Sequence, residues 1–257
     1  MLTPASGGKS GLYVGLHWRS GNGATMSNQM RMPELAKARN LTVVLPTSPL
    51  GNPTRDWDYE GNEVALGAVI ADAQARSGAG SAPVVMSGAS SGSAAAIRYY
   101  CKQGSQLEGL LLVASGRLSE SAAVSCIPAA AAAAAKAGMV PVPVVLVQGS
   151  QDPAYDDVAA SIPGFEQVNG CSGSGKTVAL NDKVDIHYHS NCTSTDGVAL
   201  VTVKGGGHNW PGFDPPLGGS PLPVPNPTSN SAFNFFGPIS NDFDATIQGY
   251  DLTRYLD

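Results

Sequence analysis

The sequence predicts an α/β domain with a mostly parallel central sheet and helices on both faces. Short apolar runs recur at Leu12–Leu16, Leu41–Leu45, Pro83–Met86, Leu110–Val113, Pro143–Val147 and Val198–Val203. Their continuous apolar character is what strands covered on both faces require. Between or after them, Glu63–Arg76, Gly92–Lys102, Ala129–Ala137 and Ala245–Leu256 read as helices, and this alternation of strand and helix builds α/β sheets. At 257 residues the chain can bury its own core, and residues 1–257 are read as one domain.

Several element boundaries have local causes. Pro141 and Pro143 end the alanine-rich helix and lead into a strand, and Asp244 is placed to cap the last helix. The uninterrupted alanines Ala129–Ala135 are strong helix formers that read as a surface helix. Gly212–Pro238, rich in Pro, Gly, Ser and Asn, is too long for an ordinary connection and reads as a substrate-side loop.

Composition excludes several classes of partner. Charged residues make up 14% of the chain and the net charge is −5. With no basic run to neutralise phosphates, nucleic acid is not an expected partner. No apolar stretch is long enough to cross a membrane, and the opening MLTPASGGKSG lacks the layout of an export signal. Cys101, Cys126, Cys171 and Cys192 match no zinc spacing. Their even number favours disulfides, any of the possible pairings being open, and hence a secreted or periplasmic location.

The strongest chemical signal is Gly88-Ala89-Ser90-Ser91-Gly92, a G-x-S-x-G pattern entered from an apolar strand and followed by a small-residue helix. That context is a nucleophile elbow, a sharp turn that lifts a serine hydroxyl above the sheet. It makes Ser90 the candidate nucleophile and the Ser91 backbone N–H a candidate oxyanion donor. A serine needs a base and an orienting carboxylate. Asp152 follows the strand PVVLV, and His208 follows VALVTV in a glycine-rich loop. The order Ser, Asp, His, each past the end of a strand, is that of an α/β-hydrolase. Asp156 and Asp157 are weaker rivals to Asp152, and His17 reads as a loop-shaping residue. Trp18, Trp57 and Trp210 are candidate walls of a substrate pocket.

Two further patterns lack the context their chemistry needs. Gly170–Thr177 matches G-x-x-x-x-G-K-[ST] letter for letter, but the preceding Pro163–Asn169 is mostly polar and the following Val178–His189 alternates like a strand. A phosphate loop needs a buried strand before it and a helix after it, so nucleotide binding through Lys176 and Thr177 is disfavoured. His187 and His189 share one face of a strand and could chelate a metal, but nearby Asp182 and Asp185 complete no recognised ligand spacing. They read as solvated strand histidines, and neither metal nor cofactor is expected.

The segments GLHWRSGNG, LPTSP, SGASSGSAA, QGSQDP, VNGC with SNC, and above all VTVKGGGHNWPG resemble the secreted polyhydroxybutyrate-depolymerase and feruloyl-esterase group of α/β-hydrolases. The resemblance runs over nearly the whole chain, including NDFDATIQGYDLTRYL near its end. It implies hydrolysis of carboxylic esters by Ser90, His208 and Asp152 without a cofactor, the substrate being a polyester or a feruloyl or acetyl ester of polysaccharide. It further implies a Cys171–Cys192 bond, which leaves Cys101 with Cys126. Two departures stand out. His17-Trp18-Arg19 replaces the usual His-Gly-Cys, making the Arg19 N–H the expected first oxyanion donor behind a bulky Trp18. Gln148 stands where many relatives carry histidine, a change expected to matter little for chemistry. The competing reading is a non-catalytic binding protein on a hydrolase scaffold, and the enzyme is expected to act as a monomer.

Overall fold

The computed structural model describes residues 11–30, 32–38, 40–48, 57, 62–78, 80–118, 126–127, 139–180, 182–189, 191–193 and 197–211. The expected helices Ala129–Ala137 and Ala245–Leu256, the Asp244 cap and the Gly212–Pro238 loop lie outside these residues.

Eight strands form one sheet in the order β2-β1-β3-β4-β5-β8-β7-β6. They are β1 (Leu12–Leu16), β2 (Thr42–Val44), β3 (Val84–Ala89), β4 (Leu107–Val113), β5 (Val144–Gly149), β6 (Lys176–Ala179), β7 (Val184–His189) and β8 (Val198–Val203). Strands β2 through β8 in that spatial order run parallel, whereas β7 and β6 append an antiparallel edge.

Strand alternation divides the core between the two faces. Leu12, Val14, Met86, Leu110, Leu112, Val144, Leu146, Val198 and Leu200 point to one side. There they meet α3 (Asn62–Ser77), α4 (Ser91–Gln103), α5 (Tyr155–Ala160) and α6 (Ile162–Val168) through Leu66, Ile70, Ile97, Val158 and Phe165. The intervening Tyr13, Val43, Val85, Leu111, Val145, Ala199 and Val201 meet α1 (Gly23–Gln29) and α2 (Met32–Ala38) through Met26, Met32 and Ala36, with Met30 between the two helices. Burial on both sides is why the strand sequences are apolar without alternation.

The sequence expectation misses several elements. Helix α1 is short and polar, its cap being Asn22, whose Oδ1 accepts the Thr25 N–H at 2.8 Å. Pro163–Asn169, read as merely polar, lies largely within α6, with Pro163 in its first turn. Val178–His189 is not one strand but parts of two, β6 and β7, joined through a turn in which the Leu180 N–H donates to the Val184 carbonyl. Strand β3 runs on to Ala89, into the G-x-S-x-G motif itself.

Disulfides join Cys101 to Cys126 and Cys171 to Cys192, the pairing the resemblance implies. On α3, the carboxylate of Glu63 is buried and accepts a hydrogen bond from Lys102 of α4. Burial opposes ionisation of Glu63, but the Lys102 hydrogen bond, the residue's own backbone N–H and the charges of Lys102 and Arg98 outweigh it and lower its pKa. A carboxylate with a lowered pKa adds stability above the unfolded-state value of about 4.3, and that stability is lost as acid titrates the folded group. Lys102→Met is therefore expected to destabilise the protein at pH 7, with the gap to the parent closing below about pH 4, as urea melts across pH would read.

Candidate active site

The sheet topology decides where a site can form. The chain passes from β1 outward to β2 and then returns to place β3 on the other side of β1. Such a reversal opens a crevice beyond the carboxyl ends of the strands. Residues 17–19 leave β1 there, and Ser90 leaves the adjacent β3. Because β5 and β8 run parallel to these, the loops bearing Asp152 and His208 emerge at the same rim.

Ser90 sits at the tip of a strained turn, with φ 54° and ψ −118°. The two motif glycines have steric causes. A Cβ at Gly88 would fall 2.3 Å from the Gly92 carbonyl, and one at Gly92 would fall 2.3 Å from the Leu16 oxygen and 2.7 Å from that of His17. Glycine thus lets strand β3, helix α4 and the loop after β1 approach one another. The Ser90 N–H donates to the Val113 carbonyl at 3.0 Å, and the Ser93 hydroxyl to that of Gly88 at 2.9 Å. Ser91 opens α4, where a backbone N–H has no acceptor within the helix.

The imidazole of His208 bridges the other two candidates. Its Nε2 lies 2.8 Å from Ser90 Oγ, and its Nδ1 donates to Asp152 Oδ2 at 2.7 Å. A carboxylate can only accept, so the proton sits on Nδ1 and leaves Nε2 to take the serine hydroxyl. The Asp152 carboxylate is almost wholly buried, whereas the His208 ring is partly open to the crevice. Asp152 Oδ1 accepts the Ala154 N–H at 2.9 Å.

Gln148, whose identity the sequence analysis expects to matter little, contacts the candidate carboxylate directly. It is buried at the end of β5, and its Nε2 donates to Asp152 Oδ2 at 2.6 Å. Its Oε1 accepts the Ser115 N–H at 2.9 Å, and Nε2 also approaches the Ser115 carbonyl at 3.2 Å. The amide therefore ties the carboxylate to the end of β4. The available signal was its position, the penultimate residue of a strand whose loop carries the carboxylate.

The loops bearing Asp152 and His208 are fastened to each other. Gln151 N–H donates to the Gly206 carbonyl at 2.8 Å, Ser150 N–H to that of Val203 at 2.9 Å, and Gly205 N–H to Ser150 Oγ at 2.9 Å.

The rival residues are otherwise engaged. Asp157 accepts the Leu118 N–H, and Asp156 is exposed. His17 is fully buried: its Nδ1 donates to the Trp18 carbonyl at 2.7 Å, and its Nε2 accepts the Ser48 N–H at 3.0 Å. Trp57 is buried with its indole N–H on the His17 carbonyl at 2.7 Å, so it braces the loop carrying Arg19. Trp18 and Trp210 are also buried, in the core on the α1–α2 side. Lys176 and Thr177 lie on the exposed edge strand β6, which continues into a turn rather than a helix. Among the described residues no helix is long and apolar enough to cross a membrane.

Comparison with solved structures gives the fold. The structure resembles acetyl xylan esterase from Aspergillus awamori, with TM-score 0.62 and 16% identity over 80% of this chain and 86% of that one. It also resembles esterase PE8, with TM-score 0.51 and 18% identity over 81% and 89% of the two chains. SOBER1 from Arabidopsis thaliana aligns with TM-score 0.51 and 14% identity over 78% and 91%. No family model matches the sequence, nor does any curated protein. The chain has the α/β-hydrolase fold.

The loops bearing Asp152 and His208 meet closely at Gly149. A Cβ at Gly149 would lie 2.3 Å from the Gly206 oxygen and 2.4 Å from that of Gly207. Gly149→Ala is expected to force the loops apart and cost about 1–3 kcal/mol in urea unfolding.

Proposed function

We propose that the protein is a serine carboxylic-ester hydrolase working through an acyl-enzyme. The observation that carries this reading is the unbroken hydrogen-bond chain from Ser90 through His208 to Asp152, with Ser90 held at a strained elbow. Ser90 Oγ attacks the ester carbonyl as its proton passes to His208 Nε2. The C–O bond to the alcohol then breaks, and His208 returns the proton to the leaving oxygen. Water repeats the sequence on the acyl-enzyme, releasing the acid and restoring the serine. Asp152 holds the ring in the required tautomer and balances the imidazolium.

The Ser91 N–H at the start of α4 and the Arg19 N–H are the proposed oxyanion donors, each worth about 2.7–4 kcal/mol when aligned. Contact of the elbow glycine Gly92 with the Leu16 and His17 carbonyls brings the loop of Arg19 beside Ser90 and supports that pairing. Gln148 is a positioning residue for Asp152. Trp18 and Trp210 are proposed to back the substrate crevice, whereas the position of Trp57 suits a framework role.

The proposed substrates are polyesters or the feruloyl and acetyl esters of polysaccharides. The motif resemblance supports both kinds, and the likeness to an acetyl xylan esterase supports the acetyl esters. Two disulfides favour a secreted or periplasmic setting, and the protein is proposed to act there as a monomer.

Ser90→Ala is expected to abolish hydrolysis of p-nitrophenyl acetate with an unchanged circular dichroism spectrum, and a fluorophosphonate probe to label Ser90 in the parent. Substantial turnover by the variant would refute the assignment. Gln148→Ala is expected to lower kcat/KM about tenfold or more, the equivalent of a hydrogen bond to a charged group, mainly through kcat. Release assays on polyester film, feruloyl arabinose and acetylated xylan separate the substrate classes.

A further inference from the structure

At the other end of the sheet, a second group of side chains meets without any part in the proposed hydrolysis. His187 and His189 project from β7 on the face opposite Ile186, toward helix α6, which contributes Glu166. One ligand atom from each of the three lies within 4.8 Å of the others. His189 Nε2 is 2.9 Å from Glu166 Oε1, with the two side chains 11% and 18% exposed. Strand β7 is antiparallel to β8, and His189 pairs with Val198, the first residue of β8. His208 lies beyond the last residue of β8, so the strand's length separates this cluster from Ser90.

We propose that Glu166, His187 and His189 form a binding site for a divalent first-row transition ion of the zinc type. Two imidazoles and one carboxylate with water in the fourth position are a zinc donor set, and nitrogen ligands disfavour magnesium and calcium. Tetrahedral bonds of 2.0–2.1 Å place ligand atoms roughly 3.3 Å apart, so small side-chain rotations from the present positions suffice. The site departs from the sequence expectation because its carboxylate comes from α6, not from the neighbouring Asp182 or Asp185.

Three features support a built site rather than a chance ion pair. His187 Nδ1 is engaged by Thr177 Oγ1 at 3.0 Å, which leaves Nε2 as the ligand atom, the part that outer partners of metal-bound histidines play. Gly175 faces both rings: a Cβ there would lie 2.4 Å from His189 Nε2 and 2.6 Å from His187 Nε2. Only glycine leaves that side of both nitrogens open. Finally, the Cys171–Cys192 disulfide crosslinks the segment after α6 to the segment after β7, and Thr193 N–H donates to the Asn169 carbonyl at 2.7 Å. The scaffold that carries the ligands is thereby held before an ion arrives. The ion would clamp the β6–β7 hairpin to α6.

The test is titration of the chelator-treated, disulfide-intact protein with zinc chloride by calorimetry, with thermal melting alongside and cobalt(II) absorption reporting coordination. The expected result is one equivalent bound with Kd about 1 µM or tighter, a raised Tm, a tetrahedral cobalt spectrum, and no response to magnesium. His187→Ala and Glu166→Gln are expected to weaken binding at least tenfold, and His208→Ala to leave it unchanged. Gly175→Ala, which keeps all the ligands, is expected to weaken binding similarly and guards against a ligand variant that fails to fold. Absence of saturable zinc binding, or binding lost in His208→Ala and kept in His187→Ala, would overturn the proposal.

Discussion

The arrangement at the rim depends on keeping one buried carboxylate satisfied. Asp152 is withdrawn from water, and an unpaired charge there would be strongly destabilising. The Ala154 N–H, the Gln148 amide and the His208 ring each donate to it. Those donors come from its own loop, from the end of β5 and from the loop after β8, so satisfying the charge also brings the loops to one place. The same contacts fix the His208 tautomer and with it the direction of the hydrogen bond to Ser90. Stability and proposed chemistry thus rest on a shared set of bonds.

Close approach of backbone to backbone makes that convergence possible. Gly88, Gly92 and Gly149 stand where a Cβ would meet carbonyl groups of a neighbouring segment at 2.3 Å. Removing side chains there lets β3, α4, the loop after β1 and the loops after β5 and β8 share a few ångströms of space. The left-handed φ of Ser90 is strain held in place by that packing and by the bond from its N–H to Val113. His17 and Trp57 complete the frame from the β1 side, the histidine bridging its own loop to Ser48 and the indole securing the His17 carbonyl.

Much of this was legible in one dimension, for identifiable reasons. Continuous apolar strands such as Leu12–Leu16 and Val198–Val203 announce themselves because both faces are buried, and their bounds agree with the structure residue for residue. Helices α3 and α4 were visible from length and composition. Helices α1 and α6 were not, because a segment of 7 residues holds too few turns to show periodicity. The β6–β7 hairpin read as one strand because alternation continues up to its turn on both sides. Ser90, Asp152 and His208 were legible because each follows a recognisable strand in a glycine-marked loop. The contact Gln148 makes was not, since nothing in its neighbours reveals which carboxylate oxygen its amide will meet.

By itself the sequence determined the α/β architecture, the elbow and the candidate hydroxyl, imidazole and carboxylate, because local patterning and steric demands for glycine are written residue by residue. Tertiary structure alone decided which groups touch. It brought His208 and Asp152 together across parallel strands, assigned Trp57 to the frame, and carried Glu166 from α6 to two histidines of β7. Those outcomes follow from strand order and helix packing, which arise from the balance of the whole core and leave no trace in the spacing of the residues concerned.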